Sequence, residues 1–539
     1  MARGTGATDE TLLGWTTVTA APRRPAVLVA LLAVLLVVVS ACSSGDTTEP
    51  AATSSSAAET TPTELPVEAV EWTDCTADIA PIIAGRPGSD RALTFGCGQI
   101  EVPLSYDDPT GPTLSLFAVR AVSATQADRI GSLVVNPGGP GLSATDAAVQ
   151  SALTLPDGVL GRFDVVGVDP RGVGLSQPVE CIPADTKDQL TAADPRPTSA
   201  DQLDTAFALA DDVAEGCVDQ YGAGLGAFST VDSARDLDRV RQAVGDTQLT
   251  YLGYSYGTTL GSTYAELFPQ NVRALVLDGA VDPDADRQEA AEAQAQGFEA
   301  AFDAFAANCT SLVGGCPVGA DPRTFVGDLL TQSATTPIPS SRAGETRQAT
   351  PGLVLAAVRS ALYNPAAWPQ LAQSLASAQA GDSAGVLTLA DTFTGRADDG
   401  TYTNTIDANI TISCSDTEES YSQSDVRALV AAWGTQYPLF GADAALSLYT
   451  CTPWDAPRTP LPERTAEGAA PILVIGTQGD PVTPLPGAVD MAADLESGVL
   501  LTWQGSGHTA YPKNQCVVDT VDAYLVDGTA PAADVTCPA

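Results

Sequence analysis

Six stretches of the chain are predominantly apolar: residues 132–136 (SLVVN), 163–168 (FDVVGV), 249–252 (LTYL), 273–277 (RALVL), 471–476 (PILVIG) and 499–503 (VLLTW). Short continuous runs of this kind suit strands buried on both faces of a parallel sheet, where no alternation is required. Between them lie segments with helical character. Residues 198–221 are polar, and residues 232–244 (DSARDLDRVRQAV) are amphipathic with an acidic first turn. Ahead of the first run, residues 98–104 and 112–119 partly alternate around Tyr106-Asp107-Asp108-Pro109, which predicts a lead-in antiparallel hairpin. From about 284 to 460 the strand runs stop. Ala-rich helical stretches replace them at 287–308, 351–363 and 368–380. Strand runs then return, and a closing helix is expected near 516–526. Strands alternating with helices predict an α/β fold, with a mostly parallel sheet flanked by helices and a helical lid inserted between the fourth and fifth runs. The expected core is therefore 67–283 and 461–539, with a cap over 284–460. No internal repeat is visible.

The N-terminus adds a targeting segment. Arg23-Arg24 precede an apolar run, 26–39, followed by Val39-Ser40-Ala41-Cys42. The run is short for a membrane span and suits a signal peptide over 1–42. The last four residues resemble a bacterial lipobox, which makes Cys42 the expected lipidation site. A small, polar stretch over 43–66 would serve as a flexible tether. The expected location is the outer face of a bacterial cell membrane, anchored by lipid, or the medium. Net charge is −41, from 66 acidic and 25 basic residues, which argues against nucleic acid as a partner. Setting Cys42 aside leaves ten of the 11 cysteines, an even number in an exported chain, which implies five disulfides. Ten cysteines admit many pairings. Nearest-in-sequence pairing gives Cys75–Cys97, Cys181–Cys217, Cys309–Cys316, Cys414–Cys451 and Cys516–Cys537. No C-x-x-C occurs and the chain has one histidine, so no metal site is expected, and nothing implies a cofactor.

The candidate chemistry centres on Gly253-Tyr254-Ser255-Tyr256-Gly257. A G-x-S-x-G between an apolar strand and a helix is a strand-to-helix elbow that projects a serine hydroxyl above a sheet edge. The pattern recurs at Gly381-Asp382-Ser383-Ala384-Gly385, but that copy follows an Ala/Ser-rich helical stretch and reads as a turn within the cap. Ser255 needs a base, and His508 is the only histidine available. It lies in a loop just past the run 499–503. The acid is expected after the preceding run, at Asp480, with Asp278 as the rival one strand earlier. The oxyanion donors are expected to be the amides of Tyr256 and of Gly139, with Gly138 next. Such a set attacks a carbonyl through an acyl-enzyme, so the chain is expected to be a serine hydrolase; an esterase or lipase would use the same residues.

Seven phrases together resemble the secreted bacterial tripeptidyl aminopeptidases, relatives of the proline iminopeptidases. They are NPGGPG (136–141), DPRGVGLS (169–176), ARDLDRVRQAVG (234–245), YLGYSYGTTLGSTYAELFP (251–269), LDGAVDP (277–283), GDPVTP (479–484) and GHT (507–509). The resemblance spans about 90–539. It departs at Leu142-Ser143-Ala144 and at Ser413-Cys414-Ser415-Asp416. It implies an α/β-hydrolase fold and an exopeptidase that releases di- or tripeptides from the free N-terminus of oligopeptides. An α-ammonium then needs acidic partners, and the densest acidic group near a cap cysteine is Asp416, Glu418 and Glu419.

Overall fold

The computed structural model describes residues 66–531 and 535–539. The signal segment, Cys42 and all but the last residue of the tether lie outside the described residues. Among the described residues ten strands form one sheet: β1 (Thr73–Asp74), β2 (Leu93–Pro103), β3 (Thr113–Ser123), β4 (Gly131–Asn136), β5 (Phe163–Val168), β6 (Leu249–Tyr254), β7 (Val272–Asp278), β8 (Ile472–Gly479), β9 (Gly498–Ser506) and β10 (Val535–Cys537). Their order is β1-β2-β3-β5-β4-β6-β7-β8-β9-β10. The first three strands pair antiparallel, and β3 joins β5 antiparallel. Every pairing from β5 to β10 is parallel.

The six apolar runs are β4–β9, six of the parallel strands, and the reason they do not alternate is visible in their packing. Leu133, Val135, Leu252, Val276 and Ile475 enter one core, whereas Val134, Tyr251, Leu275 and Val474 enter another on the opposite face. Side chains alternate between faces, but both faces are covered, so each position is apolar. The hairpin is longer than its alternation suggested, running from the pair Leu93↔Ser123 to Pro103↔Thr113. One core helix, Ala144–Thr154, lacked a recognisable signal. Ser143 caps it by accepting a hydrogen bond from the Asp146 amide.

Between β7 and β8 the chain makes helices, among them Arg287–Thr310, Pro351–Leu362, Trp368–Gln379, Ala384–Thr394 and Thr405–Ser415. They carry a hydrophobic core of their own, built on Phe298, Phe302, Phe305, Leu371 and Phe440. This is the α/β-hydrolase architecture with an inserted helical cap. The described cysteines form the nearest-in-sequence set of five disulfides. No helix among the described residues is long and apolar enough to cross a membrane.

Candidate active site

Ser255 sits at the C-terminal end of β6, where the backbone turns directly into the helix Tyr256–Leu267. Its φ is +54° and its ψ −125°, a strained combination for a residue with a side chain. Its neighbours hold it there. The Ser255 amide donates to the Asp278 carbonyl at 2.9 Å, and the Thr258 amide and hydroxyl donate back to the Ser255 carbonyl at 2.8 and 2.7 Å. The flanking glycines are required by close approach: a Cβ on Gly253 would meet the Gly257 carbonyl oxygen at 2.4 Å.

His508 follows the end of β9. Its amide donates to the Tyr363 carbonyl of the cap at 2.8 Å, and the Tyr363 ring stands edge-on to the imidazole, 5.2 Å between centroids. Its Nδ1 lies 3.0 Å from both carboxylate oxygens of Asp480 and 3.3 Å from the Thr483 hydroxyl. Asp480 also accepts the amides of Val482, Thr483 and Thr509 at 2.9–3.0 Å. Burial alone would raise its carboxyl, but the imidazole and these amides outweigh burial and hold it below the usual carboxylate range. Among the described residues, no hydrogen bond joins Ser255 to His508. The rival acid, Asp278, makes no hydrogen bond to the imidazole. It is fully buried and accepts the amides of Ala510 and Tyr511, which fixes the chain just after His508.

The loop after β4 packs on the elbow. A Cβ on Gly138 would come within 2.9 Å of Ser255 Cβ and 3.1 Å of the Tyr256 amide nitrogen. The Gly138 amide is already occupied, donating to Asn136 Oδ1 at 3.0 Å. Gly139 and Tyr256 both line the cavity beside Ser255. Tyr256 is the first residue of its helix, so its amide has no partner within the helix and carries the positive end of the dipole.

That cavity encloses about 700 Å³. The core supplies Ser255, Asp480 and Gly507, and the cap supplies Trp368 and one face of the helix Arg287–Thr310. This face consists largely of small residues, among them Ala290, Ala293, Gly297 and Ala301. A Cβ on Gly297 would lie 2.7 Å from the Pro481 carbonyl oxygen, so glycine there lets the cap close onto the Asp480 loop.

A family model described as "TAP-like protein" matches residues 437–537, the segment that carries Asp480 and His508. Serine protease Hip1 of Mycobacterium tuberculosis is 38% identical over 489 residues, covering 87% of this chain and 91% of that protein. The chain belongs to the TAP-like family of serine hydrolases. Two more members are a protein named carboxylesterase B from the same species, 36% identical with 86% and 89% covered, and the tripeptidyl aminopeptidase of Streptomyces coelicolor, 30% identical with 87% and 86% covered.

The ammonium-binding expectation is where the structure departs from the sequence reading. None of Asp416, Glu418 and Glu419 is among the cavity-lining residues. Asp416 instead accepts the amide and hydroxyl of Thr230 at 2.8 and 2.6 Å, and burial pushes its carboxyl up to about 7. Glu419 is engaged by the Arg287 amide and the Tyr421 hydroxyl, and Glu418 faces solvent. The carboxylates of the cavity wall other than Asp480 are Asp282 and Glu289. Both had sequence signals of another kind. Asp282 is the second-to-last residue of the LDGAVDP phrase, and Glu289, in the first turn of its helix, is the partner of Asp286 in a capping box.

Proposed function

We propose that this family member is a serine exopeptidase that removes short peptides, di- or tripeptides, from the free N-terminus of oligopeptides. The observation that carries the reading is the His508–Asp480 hydrogen-bonded pair, whose Asp480 lines the same cavity as the strained-elbow Ser255. Ser255 Oγ attacks the scissile carbonyl as His508 Nε2 takes its proton, and Asp480 stabilises the imidazolium. The Gly139 and Tyr256 amides hold the oxyanion. His508 then protonates the leaving amine, and water releases the acyl group. The capped cavity favours a short acyl portion, and Asp282 and Glu289 are the proposed partners of its α-ammonium. The carboxylesterase relative favours a second reading, ester hydrolysis with the same triad.

One assay separates the two: a free-amine tripeptide nitroanilide, its N-acetylated form and a short-chain nitrophenyl ester. Preferential cleavage of the free-amine anilide is expected. Cleavage of the ester alone would overturn the peptidase reading. Export and lipidation at Cys42 complete the proposal, supported by five disulfides that suit an oxidising compartment. Metabolic labelling with a fatty acid should mark the wild type and not Cys42→Ser; equal labelling removes the anchor.

A further inference from the structure

A second cavity, of about 610 Å³, opens beside the first. Its walls come from three parts of the core: the helix Thr76–Ile83, strand β3 and the helix Ala144–Thr154. Phe117, Val119 and Val149 form apolar wall, and Ile82, Leu142 and Leu175 stand at the rim. Those three rim side chains are 58%, 43% and 66% exposed, in a protein with few large apolar groups so open to water. The groove is built rather than incidental. The Cys75–Cys97 disulfide ties the start of one wall helix to β2, and the buried Ile79 and Ile83 seat that helix on the sheet core.

The groove and the candidate active site share one loop. Gly139 and Pro140 line the cavity at Ser255, whereas Pro137 and Leu142 line the groove. A Cβ on Gly139 would lie 3.4 Å from Leu142 Cγ, so the groove begins within van der Waals contact of the proposed oxyanion donor. The strand order places β3 three positions from β6, through β5 and β4. Three strand spacings are about 14 Å, the reach of roughly four extended residues.

A peptide bound across Ser255 has two ends. On the exopeptidase reading the acyl portion fills the cap-lined cavity, so the leaving chain exits elsewhere. We propose that this groove binds the leaving side of the peptide substrate, the residues that follow the scissile bond, through their apolar side chains. The inference rests on the exopeptidase reading and extends it: selectivity resides partly beyond the bond that is cut. The occupant is a peptide rather than a membrane because the groove starts at the oxyanion loop, where a leaving chain must pass.

The test compares two free-amine substrates that share their first three residues. One ends there as a nitroanilide, and the other continues for five residues containing leucines. Wild type and the double variant Ile82→Ser/Leu175→Ser are assayed on both. The ratio of kcat/KM on the long peptide to that on the anilide is expected to fall about fivefold or more, through KM, as the buried apolar contact is lost. A long peptide with glycine and serine in place of the leucines should show no such fall. An unchanged ratio overturns the inference, and a loss of vesicle binding in its place assigns the face to a lipid surface. If wild type cleaves neither peptide but does cleave a nitrophenyl ester, the exopeptidase reading itself fails. The two failures are thus distinguishable.

Discussion

The chain spells G-x-S-x-G twice, and the two copies have become different objects. Ser255 stands at a strained corner with φ +54° beside a cavity. Ser383 has an ordinary φ of −93°, has no exposed surface, and donates to the carbonyls of Ile338 and Pro339 at 2.9 and 3.1 Å. The first follows a strand whose two faces are both packed. The second joins the helices Trp368–Gln379 and Ala384–Thr394 inside the cap. Ser383 therefore spends its hydroxyl on backbone carbonyls, whereas the Ser255 corner is held through its backbone and stands in the cavity lining. The same five-letter pattern carries no function until a strand end presents it.

Removing each hydroxyl is the most severe test of that difference. Ser255→Ala is expected to lower kcat by about 10⁴-fold or more on the best substrate, with folding unchanged. Ser383→Ala should keep kcat within about twofold but lose about 1 kcal/mol of stability, since the buried hydroxyl contacts to the Ile338 and Pro339 carbonyls are lost while the Ala349 and Ser383 amides still donate to them. Kinetics alongside thermal melts read both quantities. Activity lost with Ser383, or kept without Ser255, would exchange the roles of the two copies.

The two aspartates at neighbouring strand ends repeat the lesson with carboxylates. Asp480 accepts from the imidazole, and Asp278 accepts only backbone amides behind it. Asp480→Asn should cost about 10³–10⁴-fold in kcat, because the imidazole loses its anionic partner and its preferred tautomer. Asp278→Asn should cost less than about tenfold, because an amide oxygen still accepts from Ala510 or Tyr511. Equal losses in kcat would mean that the loop behind His508, rather than the charge beside it, governs the base.

These contrasts also mark what the sequence could convey. The parallel strands were legible because burial on two faces writes itself as an unbroken apolar run. The meeting of His508 with Asp480 was legible because no other histidine exists and Asp480 follows the strand before it. Asp416 was not, for its partner Thr230 lies 186 residues away and local acidity looked like a ligand site. The helix Ala144–Thr154 was missed because its small and polar residues pack against the sheet without a bulky apolar stripe. The place of Glu289 in the cavity wall was hidden by its local job at a helix start.

The smallest expected effect is a difference in pH response between the same two aspartates. Burial, opposed by the Tyr511 and Ala510 amides, pushes the Asp278 carboxyl from 3.8 up to about 6. At pH below about 4 the group is protonated folded or unfolded and costs nothing; as pH rises through 6 the folded state must carry a buried charge, so its contribution to stability is lost across that window. Asp480 runs the other way. Its folded value is lowered, so the stability it supplies is present above 3.8 and is lost only as pH falls further. Between pH 4 and 6 only Asp278 of this pair should tilt the melting curve. Asp278→Asn is therefore expected to make the fall in Tm from pH 4 to pH 6 shallower than in wild type by about a few °C, while Asp480→Asn leaves that slope unchanged. Melts at half-unit pH steps give the comparison. Parallel curves for wild type and Asp278→Asn would mean that the three amide contacts to Asp278 offset the cost of its burial in full.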